Sequence, residues 1–248
     1  MKIVISHKPG QPIWDGVAGA LSTLGHEVVA WQPKVKPVND MAVEISPDML
    51  IIEPDDVTHS FPAALDRCDA KLVMMGVGSW DELTPDLFCV THHTPETILK
   101  NLDSPWVRMT HCADLAHFPI VDGDERYMSD VLCIVDRPIG IEQMDVLYNH
   151  IVDGERVFVV GEFRVPMPQY LGQVTTRETS LLMASTKLGI CFDEQHPHDY
   201  AIRDTPVHSS VPPEQLNLRE TYYHRVAEIF GVLGYEKESQ KAMEKVPQ

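Results

Sequence analysis

Side chains able to act as proton acceptors follow two short apolar runs. His7 and Asp15 follow KIVIS at 2–6, and His92 with His93 follow LFCV at 87–90. An imidazole or carboxylate so placed can serve as general base toward a hydroxyl within hydrogen-bond reach. Neighbouring residues of an extended chain point to opposite sides, so at most one of His92 and His93 enters a common site. Asp15 and His93 are the first candidates for this role and His7 the third. A further group, His196, Pro197, His198 and Asp199, has a spacing that suggests metal ligation. A polar, His-rich stretch of this kind reads better as a solvated loop, and no metal is expected.

The elements that position these residues form an alternating series. Lys2 to Ser6 is a β-branched run, and the following turn residues lead into WDGVAGALSTLG, where Val17, Leu21 and Leu24 recur at helical spacing. Gly25 stops that helix, and HEVVAW at 26–31 is a second buried strand. Further strands are expected at 49–52, 71–76, 87–90 and 106–110, which makes six interleaved with helices. The pattern restarts with SDVLCIVD at 129–136, a helix over 141–151 and RVFVVG at 156–161. A helix over 178–187, strands at 188–193 and 205–210, and an amphipathic helix over 218–233 carrying Val226, Ile229, Phe230 and Leu233 complete it. The polar segment 114–126, with Pro119 and Gly123, is the expected linker. The division falls near residue 121, giving halves of 1–121 and 122–248. The expected class is α/β, two Rossmann-like halves facing a cleft.

Bulk properties narrow the partners. The 248 residues carry a formal net charge of −17, shared between the halves with 8 basic and 16 acidic residues in 1–121 and 12 and 21 in 122–248. Neither half is a basic module, which argues against broad electrostatic binding to nucleic acid or anionic membrane while leaving room for a local basic pocket. Five scattered cysteines with no CxxC pair fit neither a disulfide framework nor a thiolate zinc site, as expected of a reducing compartment. A strand begins at the second residue, and no run approaches 18 apolar residues. A cytoplasmic protein with no membrane association is expected.

Three stretches resemble the GT-B glycosyltransferases, most closely the spore-maturation-protein-like glycosyltransferase group. They are the opening strand, loop and helix ending in LGHEVVAW (24–31); CADLAHF (112–118) followed by YMSDVLCIV (127–135); and YLGQV (170–174), ASTKLGICFD (184–193) and YAIRDTPVHSS (200–210). The resemblance covers most of the chain, and the second stretch falls where composition alone placed the division. The short length matches a version with trimmed loops, as in compact phage-type members of this fold, some of which transfer sugars to modified DNA bases.

The resemblance implies a metal-independent hexosyltransferase that takes a nucleoside-diphosphate sugar, UDP-sugar first, with no tightly bound cofactor. The N-terminal half would hold an unidentified acceptor, DNA among the candidates, and the C-terminal half the donor. It assigns Arg164, with Lys187 or Arg203, to the diphosphate, and Ser209 and Ser210 as further donors. Gln173 and Val174 would offer backbone groups to the base. The family's Arg-x-Phe-Glu element, whose Glu binds ribose, is absent; Arg203 is followed directly by Asp204, the candidate replacement. A catalytically inactive nucleotide-binding module and a nucleotide-sugar 2-epimerase are the alternatives.

Overall fold

The structure is a computed structural model that describes residues 1–6, 11–32, 36, 38–56, 61, 65–66, 68–77, 84–91, 93–192, 196–209 and 220–247, without the side chains of 12, 38, 39, 42 and 43. Its described residues form two all-parallel sheets. The first contains β1 (Lys2–Ser6), β2 (Glu27–Trp31), β3 (Met49–Ile52), β4 (Lys71–Met75), β5 (Leu87–Thr91) and β6 (Trp106–Met109), in the order β2-β1-β3-β4-β5-β6. The second contains β7 (Ser129–Ile134), β8 (Val157–Val160), β9 (Tyr170–Gly172), β10 (Thr186–Cys191) and β11 (Val207–Ser209), in the order β11-β10-β7-β8-β9. Helices α1 (Pro12–Thr23), α2 (Val38–Ile45), α3 (Glu96–Leu99), α4 (Ile141–Val152), α5 (Thr176–Ala184), α6 (His196–Ala201), α7 (Tyr222–Val232) and α8 (Glu236–Met243) are interleaved with the strands or follow them. The expected two-sheet α/β class is the observed one.

Strands covered on both faces explain the near-continuous apolar runs. Along β7 and the residue after it, Val131, Cys133 and Val135 pack with Leu147 of α4, whereas Leu132 and Ile134 turn to Leu182 and Met183 of α5 and Tyr200 of α6. This is the two-residue side-chain alternation of a strand. In the first sheet, Val4, Leu50, Ile52, Leu72, Met74, Phe88 and Val90 share one core with Trp31, Met41 and Leu99.

The compact units are Met1–Thr110 with Tyr222–Gln248, and His111–Thr221. The chain therefore divides at 110 and again at 221, where the sequence suggested a single division near 121. Two polar devices attach 111–121 to the second unit. The Ala113 amide donates to the Glu220 carbonyl at 3.0 Å, and the Arg203 guanidinium donates to the carbonyls of Phe118 and Pro119. The final helices return to the first unit because their partners lie there. Gly16 of α1 has no Cβ where the Tyr222 ring sits; a Cβ would fall 2.1 Å from a ring carbon. Arg225, buried on α7, donates to Glu228 at 2.8 Å and to Thr110 Oγ1 at 3.1 Å. Ser239 of α8 donates to the Ala227 carbonyl at 2.8 Å.

His26, just before β2, is packed beneath α7 and α8, with its ring edge-on to Phe230 at 5.3 Å and Nε2 3.3 Å from Glu238. Burial depresses its pKa below the ordinary 6.5, with Glu238 opposing and the N-terminus and Lys241 assisting. On acidification the unfolded chain therefore binds this proton first. The stability His26 contributes is complete above 6.5 and is lost as pH falls through the lower folded value. His26→Gln should consequently show a smaller drop in melting temperature between about pH 7.5 and 5 than the parent protein. Identical pH profiles by circular dichroism would show that the depressed titration is not coupled to folding.

Candidate functional site

In open parallel sheets ligands bind beyond the carboxyl ends of the strands, at the point where strand order reverses. In the first unit that point lies between β1 and β3. Ser6, the last residue of β1, donates to Asp56 in the turn after β3, and Gln11, at the start of α1, donates to Glu53 at 2.7 Å. Asp15 stands half-buried in the first turn of α1, beside this point. A first-turn carboxylate also favours the helix dipole, so its position serves stability as well as chemistry. His93 lies exposed in the turn after β5. With β3 and β4 intervening, β1 and β5 are about 14 Å apart at ordinary strand spacing, so the backbone does not bring Asp15 and His93 together. His7 and His92 lie outside the described residues.

In the second unit the reversal lies between β7 and β10. Of the residues assigned to the donor, Arg164 is exposed in the segment after β8, Gln173 is exposed directly after β9, and Ser209 closes β11. These lie on the carboxyl rim, although β9 and β11 are its two edges, about 19 Å apart. Val174 packs its side chain into the core beside Leu132 and Ile134. Ser210 lies outside the described residues.

Lys187, Arg203 and Asp204, assigned to the donor by resemblance, lie at strand starts, at the end of the sheet opposite the carboxyl rim. Lys187 is the second residue of β10 and pairs with Asp130, the second residue of β7, at 2.7 Å. Its hydrogen bond holds the Asp130 carboxyl below the usual range, and the Lys187 ammonium is raised in turn. The chain through α6 runs back toward the start of β11, so Arg203 and Asp204 precede that strand. Arg203 is committed to backbone carbonyls, donating to Asp199 as well as to Phe118 and Pro119, and burial lowers its pKa. Asp204 is exposed with a left-handed φ of 55°.

The centre of the rim holds a cluster that sequence reasoning missed. His196, at the start of α6, places Nε2 2.6 Å from Asp136 Oδ2, two residues beyond β7, and Nδ1 3.3 Å from Asp199 Oδ2. The His196 side chain is 2% exposed and that of Asp199 is fully buried, whereas that of Asp136 is 44% exposed. Asp199 also accepts the Asp114 amide at 2.7 Å, and Asp114 accepts from His117, with 2.8 Å to Nδ1. The His-rich stretch expected to be a solvated loop is thus a buried helix. Tyr200 pins it, its hydroxyl donating to the Leu132 carbonyl at 3.3 Å and its ring covering Gly189. The strand-end position of Asp136, behind SDVLCIV, was the available signal. Arg137 follows it, exposed, and the Gly140 amide at the start of α4 donates to Gln143 at 2.8 Å. Among the described residues no cluster of three or more His, Cys, Asp or Glu is placed to hold a metal ion. No described helix is long and apolar enough to cross a membrane.

The rim of the second unit therefore offers a partly exposed carboxylate fixed from behind by a buried imidazole, with Arg137 and Arg164 on neighbouring loops. It can accept hydrogen bonds from hydroxyls at its centre and meet an anion at its side.

No family model matches the chain, and no curated protein matches it in sequence. Among solved structures it is similar to a candidate UDP-N-acetylglucosamine 2-epimerase from Listeria monocytogenes, at 10% identity and a TM-score of 0.52, covering 98% of this chain and 90% of the other. It is also similar to the UDP-GlcNAc 2-epimerase of Methanocaldococcus jannaschii, at 9% identity and 0.50, covering 99% and 92%. The sucrose-phosphate synthase of Thermosynechococcus elongatus matches at 11% identity and 0.51, covering 99% and 94%. The fold is GT-B. At these identities the likeness is one of fold, and function has to be argued from the site.

The ring of Tyr200 occupies space that only a glycine at 189 leaves, since a Cβ there would lie 2.6 Å from a ring carbon. Gly189→Ala should destabilise the protein by about 1–3 kcal/mol, the usual cost of overpacking. It should also displace α6, with loss of the Asp136–His196 contact. Thermal unfolding, together with the His196 imidazole resonances, checks both; an unchanged melting temperature would show that Tyr200 repacks freely.

Proposed function

We propose that the chain is a metal-independent glycosyltransferase that takes a nucleoside-diphosphate sugar, with the second unit as donor side and the first as acceptor side. The observation that carries this reading is the GT-B fold over nearly the whole chain, combined with a polar site at the strand-order reversal of the second unit. Departure of a diphosphate needs cations and backbone amides aimed at its oxygens. Arg164 is the leading cation, with Ser209, Ser210 and the backbone at Gln173 and Val174 as further donors. Asp15 is the leading base toward the acceptor hydroxyl and His93 the second. A UDP-sugar donor, a hexosyl group, the closer resemblance to the spore-maturation-protein-like and phage-type enzymes, and a DNA base among the acceptors all rest on sequence resemblance.

A 2-epimerase acting on the same class of substrate is the second reading. It is favoured by Asp136, the partly exposed carboxylate held by His196, since proton removal from a sugar carbon calls for a carboxylate near the substrate. Neighbours with that activity in their names share the fold.

The test is a panel of nucleotide sugars and nucleoside diphosphates, read by thermal stabilisation, by release of diphosphate and by proton exchange at the sugar in deuterated water. Stabilisation with diphosphate release supports the transferase, and exchange without release supports the epimerase. Stabilisation alone would indicate a binding module, and no response to any nucleotide would sink every one of these readings. Arg164→Ala should remove stabilisation by diphosphates. Asp15→Asn should spare it and lower transfer by at least about a hundredfold.

A further inference from the structure

The Asp136–His196–Asp199 cluster calls for a ligand with hydroxyl donors. Asp136 lies at the end of the central strand, where the order of the second sheet reverses. Its Oδ2 meets His196, and no other hydrogen bond or ion pair engages it among the described residues, although its side chain is 44% exposed. At that exposure the carboxylate is open to a donor from solvent or ligand. His196 is buried with each ring nitrogen against a carboxylate, and Asp199 is buried behind it. Neither reaches a ligand; both act through Asp136 by holding its orientation. A carboxylate accepts hydrogen bonds and repels phosphate, so the part of a nucleotide sugar that suits it is a hydroxyl-bearing ring. Asp204, the residue suggested by sequence for such a contact, stands before β11 at the far end of the strands.

We propose that Asp136 is the hydroxyl-accepting carboxylate of the second unit's site, oriented by His196 and Asp199, and that it selects its nucleotide ligand through a sugar hydroxyl. This rests on the nucleotide-sugar reading above. The hydroxyl belongs either to the ribose or to the sugar carried on the diphosphate, and the two sources are separable. Asp136 is a binding residue, whereas His196 and Asp199 are positioning residues.

The experiment measures dissociation constants of UDP, GDP and ADP, of their 2′,3′-dideoxy counterparts, and of UDP-glucose, GDP-glucose and ADP-glucose, for the intact chain and for Asp136→Ala, Asp136→Asn and His196→Gln. A hydrogen bond to a charged acceptor corresponds to about a tenfold to hundredfold difference in affinity. If the ribose is the source, the parent protein prefers a ribonucleotide to its dideoxy form by that factor, and Asp136→Ala abolishes the preference. If the carried sugar is the source, the advantage of a glucose nucleotide over its diphosphate disappears instead. Asp136→Asn, which retains an oxygen acceptor, should keep part of the preference. His196→Gln should reduce the ratio between paired probes, whereas simple loosening of the fold would weaken both members equally.

Unchanged ratios in Asp136→Ala, with diphosphates still bound, would overturn the inference and leave the nucleotide reading intact. Failure of the parent protein to bind any probe would remove the nucleotide reading and the inference with it.

Discussion

A carboxylate without solvent must have partners, and in the second unit the fully buried Asp199 sets the local architecture. Leaving such a charge unpaired costs several kcal/mol, so the groups that satisfy it are held as firmly as the core. Those groups are the Asp114 amide at 2.7 Å and the imidazole of His196. One carboxylate thus fastens the chain entering the unit to α6, and α6 to the carboxyl end of the central strand. The Tyr200 ring, seated over Gly189, supplies the apolar half of the same attachment.

This constraint explains which parts of the fold could be read in the sequence. Parallel strands buried on both faces leave short apolar runs, and the runs beginning at Lys2, Met49, Lys71 and Ser129 each became a strand. The division of the chain was less visible because residues 111–121 are held by amides, carbonyls and a guanidinium, with little apolar pattern to mark the attachment. Likewise Val226, Ile229 and Phe230 announce that α7 has a buried face without saying which core buries it. That is decided by the fit of Tyr222 against Gly16, two residues more than 200 positions apart in the chain.

Legibility of the candidate site followed the same line. Strand ends were recognisable, so Arg164, Gln173 and Ser209 do stand on the carboxyl rim and Asp15 stands beside the reversal point of the first sheet. The resemblance also drew in residues from the opposite end of the strands. Lys187 and Asp204 are strand-start residues for this reason: a helix that returns across the sheet moves its last residues to the other end. His196 was obscured by its own composition. A His-Pro-His-Asp run looks solvated until a tyrosine, a glycine and a second aspartate bury it.

The net charge of −17 bears on how such a site would hold an anionic ligand. No general field attracts it, so a diphosphate has to be met by local donors, and the exposed Arg137 and Arg164 stand on the loops after β7 and β8. Asp136, which meets His196 among the described residues, opposes phosphate at the centre of the rim. On the proposed reading, the two effects orient the nucleotide. The hydroxyl-bearing ring faces the gap between β7 and β10, and the phosphates turn toward β8. The carboxylate that would weaken the binding of a bare phosphate therefore becomes a source of selectivity for a ligand that also carries hydroxyls, because only such a ligand gains at the centre what the site withholds from the anion.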